Sequence, residues 1–134
     1  MRSLSFIVLS LPCAVAMAAD RECLVLTTPT ARGEAIVAER VERATCPAEV
    51  AAVLYDPASG VVRASTDLQA GDAIRLVPAD RLANATRGQR VMAIHREGGV
   101  TVSRPVTLLT DAPQGRPVLA TTDDDRRVRG VLQP

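Results

Sequence analysis

The chain has no lysine and no tryptophan, and among its 134 residues there is a single histidine, a single tyrosine and a single phenylalanine. Each scarcity excludes something. All 16 basic side chains are arginine, and 15 acids oppose them. So even a balance argues against nucleic acid or an anionic membrane as the main partner, because both select a net basic surface. Aromatics at 1% leave Val, Leu, Ile and Ala to build the core, and each buries less area than an aromatic ring. A sugar site would lack its usual aromatic platforms, with only Tyr55 to serve. Catalysis by acid, base or nucleophile needs groups held together with tuned pKa values. His95 lies between Ile94 and Arg96 on a predicted strand, and no serine stands in a nucleophile elbow. The chain therefore reads as a non-enzyme with no cofactor and no metal.

The N-terminus is a separate matter. Arg2 supplies a positive end, Leu4 to Leu11 is mostly apolar, and Ala16-Met17-Ala18 has the small-x-small cleavage pattern. Residues 1–18 thus read as a secretory signal peptide, with an apolar stretch too short to span a bilayer. Pro12 before Cys13 argues against lipid attachment there. Cleavage after Ala18 leaves an exported chain with no stable membrane insertion, near neutral in charge and with Tyr55 as its one aromatic residue. Cys23 and Cys46 remain as an even pair. In an oxidising compartment a disulfide is the default. Free thiols or a metal site are the alternatives, although one His and no further Cys give a metal too few soft ligands.

What is present is a repeat. Ala31-Arg32-Gly33-Glu34-Ala35-Ile36 is echoed 38 residues later by Gln69-Ala70-Gly71-Asp72-Ala73-Ile74. An acid-Arg-apolar step follows each copy, at Glu39-Arg40-Val41 and Asp80-Arg81-Leu82. A Gly just ahead of a strand supplies a backbone conformation that other residues avoid, so Gly33 and Gly71 predict two paired β-units. Strands are expected at 23–28, 41–44, 61–64 and 73–77, and a short helix at 47–54, entered at Pro47. One helical turn is expected at 78–83.

From residue 85 onward the pattern is all β. Residues 89–95 and 100–104 flank the Gly98-Gly99 turn as a hairpin. Pro105 should interrupt the second strand and mark an edge, and further strands follow at 106–109, 118–121 and 127–132. Asp123 to Asp125 lacks the alternating ligands and the distal Glu of a calcium loop, so it reads as a solvated turn. Its three acids also stand beside the Arg126–Arg129 run, where they neutralise an otherwise anion-binding patch. The expectation is a mainly β chain with one or two short helices, divided at residues 19–84 and 85–134.

The order of these motifs resembles a known family. Thr30 to Ile36, with Val41-Glu42, and then Ala64 to Ile74 look like a SAF domain. Arg87-Gly88-Gln89-Arg90-Val91, Gly98 to Val102, Ala112 with Gly115 and Val118, and Arg127 to Leu132 resemble the block that follows it in flagellar basal-body P-ring formation proteins. The resemblance covers nearly all of residues 23–132. It implies a SAF-type β-clip followed by a small antiparallel β-sheet or barrel block. It also implies a periplasmic assembly chaperone whose partner is the flagellar P-ring subunit. Members of that family usually carry a further N-terminal domain, whereas here the signal peptide runs straight into the SAF-like part. A component of a pilus or secretion assembly and a small-ligand or glycan-binding module are the alternatives. The edge expected near Pro105 places partner contact at Val100, Val102 and Arg104, since a chaperone covers an exposed edge or apolar patch.

Overall fold

The computed structural model describes residues 21–133, so the signal peptide read in residues 1–18 lies outside the described residues. Nine strands follow in order: β1 (Glu22–Leu26), β2 (Val41–Thr45), β3 (Val53–Asp56), β4 (Val61–Ala64), β5 (Ala73–Arg75), β6 (Arg90–Glu97), β7 (Val100–Leu108), β8 (Pro117–Thr122) and β9 (Arg127–Val131). They form a three-stranded sheet in the order β2-β1-β5, the β3–β4 hairpin, and a four-stranded meander β6-β7-β8-β9. Every pairing between named strands is antiparallel. The protein is mainly β, as its turn spacing predicts.

The 38-residue repeat is a structural one. Gly33 N–H donates to the Ala64 carbonyl, and Gly71 N–H donates to the Leu26 carbonyl. Residue 64 is the repeat equivalent of residue 26, so each copy's glycine binds the other copy's strand. The return bonds match, from Ala64 N–H to Glu34 and from Leu26 N–H to Asp72. Thr30 and Leu68, themselves equivalent, exchange two backbone hydrogen bonds of 2.9 and 2.8 Å. The two units therefore cross at that pair, and the main buried cluster is filled in equivalents: Leu24 with Val62, Leu26 with Ala64, and Ile36 with Ile74.

Both repeat glycines have positive φ, +84° and +92°. The acid after each turns back to close it, Glu34 accepting from Ala31 N–H and Asp72 from Gln69 N–H. Thr86-Arg87-Gly88-Gln89 builds the same turn, with Gln89 accepting from Thr86 N–H and Gly88 at φ +85°. That third copy is legible as Arg-Gly followed by a polar residue, but it lies off the 38-residue offset. The two acid-Arg-apolar steps form the two single 3-10 turns, Ala38–Arg40 and Ala79–Arg81.

The helix expected at 47–54 does not form. Val53–Asp56 pairs instead with β4, and Ala51 N–H donates to the Ala73 carbonyl at 2.8 Å. Eight residues are too few to repay helix nucleation, and β-branched Val50 and Val53 favour the extended partners that β4 and residue 73 offer. Nor does Pro105 split its strand, because β7 runs unbroken from Val100 to Leu108. Leu108 N–H points to Gln89 beside β6, and Leu109 N–H to Leu119 on β8. Alternation along the strand puts Pro105's missing donor on the β8 side. There pairing starts only at Val106, so no ladder bond is lost.

Cys23 and Cys46 are joined as a disulfide across the β1–β2 pair, Cα to Cα 4.9 Å. Leu24, Leu26, Ile36, Val62 and Ile74 belong to one buried cluster, while Val106, Leu108, Val118 and Ala120 form another under the meander. Among the described residues no helix is long and apolar enough to cross a membrane.

Candidate binding surface

The meander is uneven. β6 and β7 pair over eight positions, Arg90↔Thr107 through Glu97↔Val100. β8 joins β7 only at Val106, Thr107 and Leu108. The distal half of the β6–β7 hairpin is therefore a two-stranded ribbon extending past the sheet. Ala93 still packs on the meander's buried cluster, but every residue from Ile94 to Pro105 is exposed, so beyond Ala93 both faces meet water. Met92 and Ile94 lie with Pro105 and Ser103 on one face, 58% and 59% exposed. Val100 and Val102 lie on the other, opposite Glu97 and His95, 63% and 51% exposed. Surface apolar residues are ordinarily scattered, and a concentration of them marks an interaction surface.

The residues expected to contact a partner, Val100, Val102 and Arg104, all lie on this ribbon and on one face of it. Between Val100 and Pro105, β7 is paired with β6 alone. Nothing in the sequence marks Met92 and Ile94 as surface. Their alternation in residues 89–95 signals a half-buried strand, and only the ribbon's projection beyond β8 exposes both of its faces.

The sheet also curls. An open trough of about 700 Å³ is lined by Val91 and Ala93 of β6 and by Val128 and Leu132 in and just after β9. Val106 and Val118 of the two middle strands line it as well. Since β6 and β9 are the outermost strands, the curl brings both free edges to one cavity.

Where the two blocks meet, Arg63 is the link. Its guanidinium lies 3.0 Å from Asp56 and 2.8 Å from Asp111, and it donates to the Gly33 carbonyl at 3.2 Å and to the Ser59 hydroxyl at 3.2 Å. Burial works against the Arg63 charge, but the hydrogen bonds it donates to Asp111 and Asp56 outweigh it and hold the pKa above the ordinary arginine value. Asp56 is pushed below the ordinary carboxylate range by the Ser59 hydroxyl first and Arg63 second. Tyr55 is occupied in the same region. The Arg81 guanidinium carbon sits 4.9 Å from its ring centroid, and Arg116 donates to its hydroxyl at 3.4 Å. The one aromatic available for a sugar platform thus already has a cation over its face.

His95 is exposed, and its ring nitrogen Nε2 lies 3.3 Å from Glu97. Among the described residues, one of the three acids of the β8–β9 turn, Asp124, pairs with the Arg126–Arg129 run. Asp123 faces Arg90 at 3.4 Å. Asp124 accepts from the Thr122 hydroxyl and lies 3.2 Å from Arg126, so Thr122 first and Arg126 among the lesser causes lower its pKa. Asp125 takes the turn's positive φ of 60°. Among the described residues, Arg127 and Arg129 are thereby left without an acid in ion-pair distance.

No protein-family model matches the chain, and a search of curated proteins finds no match. Among solved structures the chain is similar to Salmonella FlgA. Against the closed form it is 17% identical with a TM-score of 0.40, and against the open form 18% identical with a TM-score of 0.44. Either match covers 84% of this chain but only 58% and 56% of the respective FlgA chains. The chain thus spans a little over half the length of the structures it matches.

Proposed function

We propose that the chain is a periplasmic assembly chaperone that binds the flagellar P-ring subunit transiently while the ring forms around the rod. The observation that carries this reading is the β6–β7 ribbon, with apolar residues exposed on both faces and a strand edge open beyond β8. Such a surface suits the temporary cover of another protein's edge or apolar patch. The ordered motifs from Thr30 to Leu132 support the choice of client. In this reading residues 19–84 are a SAF-like clip, residues 85–134 are the client-holding unit, and Val100, Val102 and Arg104 make contact. The work requires no cofactor and no bond-making residue.

The test is capture of purified P-ring subunit by residues 19–134, with Cys23 and Cys46 oxidised. Saturable capture that weakens when Val102 is replaced by Glu is the expected result. Absence of capture by protein shown to be folded by circular dichroism overturns the choice of client. Pilus and secretion-machine subunits would then be tested in the same way.

A further inference from the structure

The outer edge of β9 has three properties that belong together. First, its backbone is unpaired on one side among the described residues, since β8 is its sole neighbour. Second, its side chains alternate cleanly. By register Arg127, Arg129 and the exposed Val131 share the outer face of the sheet with Thr121, Leu119 and Pro117, while Val128 and Leu132 flank Gly130 on the inner face. Third, the two arginines lack counter-charges. Their cross-strand partners are Thr121 and Leu119, and no acid lies within ion-pair distance of either among the described residues. A glycine inside a strand is a place where another backbone can come close. A Cβ on Gly130 would meet no atom within 4 Å.

We infer that the β9 edge is a strand-addition site for an extended segment of a partner protein in which acidic and apolar residues alternate. The segment lies beside β9 in the trough that separates it from β6. Its main chain completes the hydrogen bonds left open on β9. Its apolar residues join Val128 and Leu132 on the inner face, while its acids stand opposite or diagonal to Arg127 and Arg129 on the outer face, where opposite charges stabilise cross-strand pairs. A second copy of this chain is the poorer occupant. Antiparallel addition of β9 to β9 would set one arginine row against another, and like charges facing across strands destabilise the pair. This inference rests on the reading that the chain holds another protein, and it names the chemistry of the segment held.

The probe is a capped seven-residue peptide of alternating Glu and Val, titrated into residues 19–134. Saturable binding is expected, weakening as salt rises, with slowed hydrogen exchange at β9 amides. Replacing both Arg127→Glu and Arg129→Glu should weaken it by about tenfold or more. A peptide of alternating Lys and Val should then prefer the doubly substituted protein. N-methylation of alternate peptide residues keeps charge and apolarity but removes the strand donors, and it should abolish binding. The inference is overturned if the peptide does not bind, if the N-methylated peptide binds equally well, or if the double reversal changes nothing. Capture of the P-ring subunit by the unaltered protein and the double variant alike would overturn strand addition and leave the chaperone reading standing. Peptide binding without subunit capture would do the opposite.

Discussion

Arg63 and Asp111 lie 48 residues apart in sequence and 2.8 Å apart in space, and they join the repeat unit to the meander. Asp111 is the more enclosed of the two, with 14% of its side chain exposed against 26% for Arg63. Its second oxygen accepts from Arg87 N–H at 2.9 Å, so one carboxylate fixes both the arginine and the turn that leads into β6.

Asp111→Ala should therefore lower stability by about 2 kcal/mol, the scale of a hydrogen bond to a charged group, with Arg63 still held by Asp56. A fall in the urea midpoint with an unchanged slope would verify this. Arg63→Lys should recover little of the unaltered behaviour. A lysine cannot reach Asp56, Asp111 and the Gly33 carbonyl at once with a planar fork.

Acid should weaken the fold through Asp56 and Asp124. Both carboxylates sit below their ordinary 3.8 in the folded chain. Each is stabilising above its unfolded pKa, and that stability is lost as pH falls through the lowered folded value. Unfolding free energy should stay level near neutrality and decline once pH drops below about 4. Asp56→Asn should flatten part of that decline in a pH series of urea melts. An undiminished slope in the variant would remove Asp56 from the account.

Gly33→Ala and Gly71→Ala should cost similar amounts. A Cβ at either position meets nothing within 4 Å, so the loss is the backbone term alone, about 1–2 kcal/mol for a left-handed residue. Unequal losses in thermal or urea melts would show that the two crossing turns do not bear the fold alike.

Reduction of Cys23–Cys46 should lower stability by about 3 kcal/mol, the loop-closure value for a 23-residue separation. The comparison is a urea melt with and without reductant, alongside the Cys23→Ala/Cys46→Ala form. Ala is the better replacement at 23, where the side chain is buried.

Val102→Glu should leave stability within about 0.5 kcal/mol of the unaltered chain, since exposed positions tolerate substitution. Intact melting together with weakened capture of a client would assign Val102 to binding. Intact capture would remove it.

Local chemistry was legible where the answer depended on neighbours in sequence. The repeat, the positive-φ glycines, the Gly98-Gly99 hairpin and the cysteine pair are all set within a few residues or by compartment. The failures share one cause. Residues 47–54 look helical in isolation, yet β4 and residue 73 supply extended partners that no local pattern reveals. Pro105 looks like a break, but whether a missing N–H costs anything depends on which neighbour it would have faced. The acids at 123–125 look as though they neutralise the whole Arg126–Arg129 run, but the turn lets Asp124 reach Arg126 alone and sends Asp123 to Arg90.

The sequence by itself determined a mainly β chain, two paired units at a 38-residue offset and the absence of an aromatic core. Period-two patterning and glycine conformations act over a few bonds and are written in composition and spacing. Only the tertiary structure decided which edges stay open. That β8 stops at Val106, that the meander curls β6 toward β9, and that Arg63 reaches Asp111 are outcomes of strand register and packing. They bring together residues tens of positions apart, and edge exposure is a property of what lies beside a strand, which no residue in the strand records.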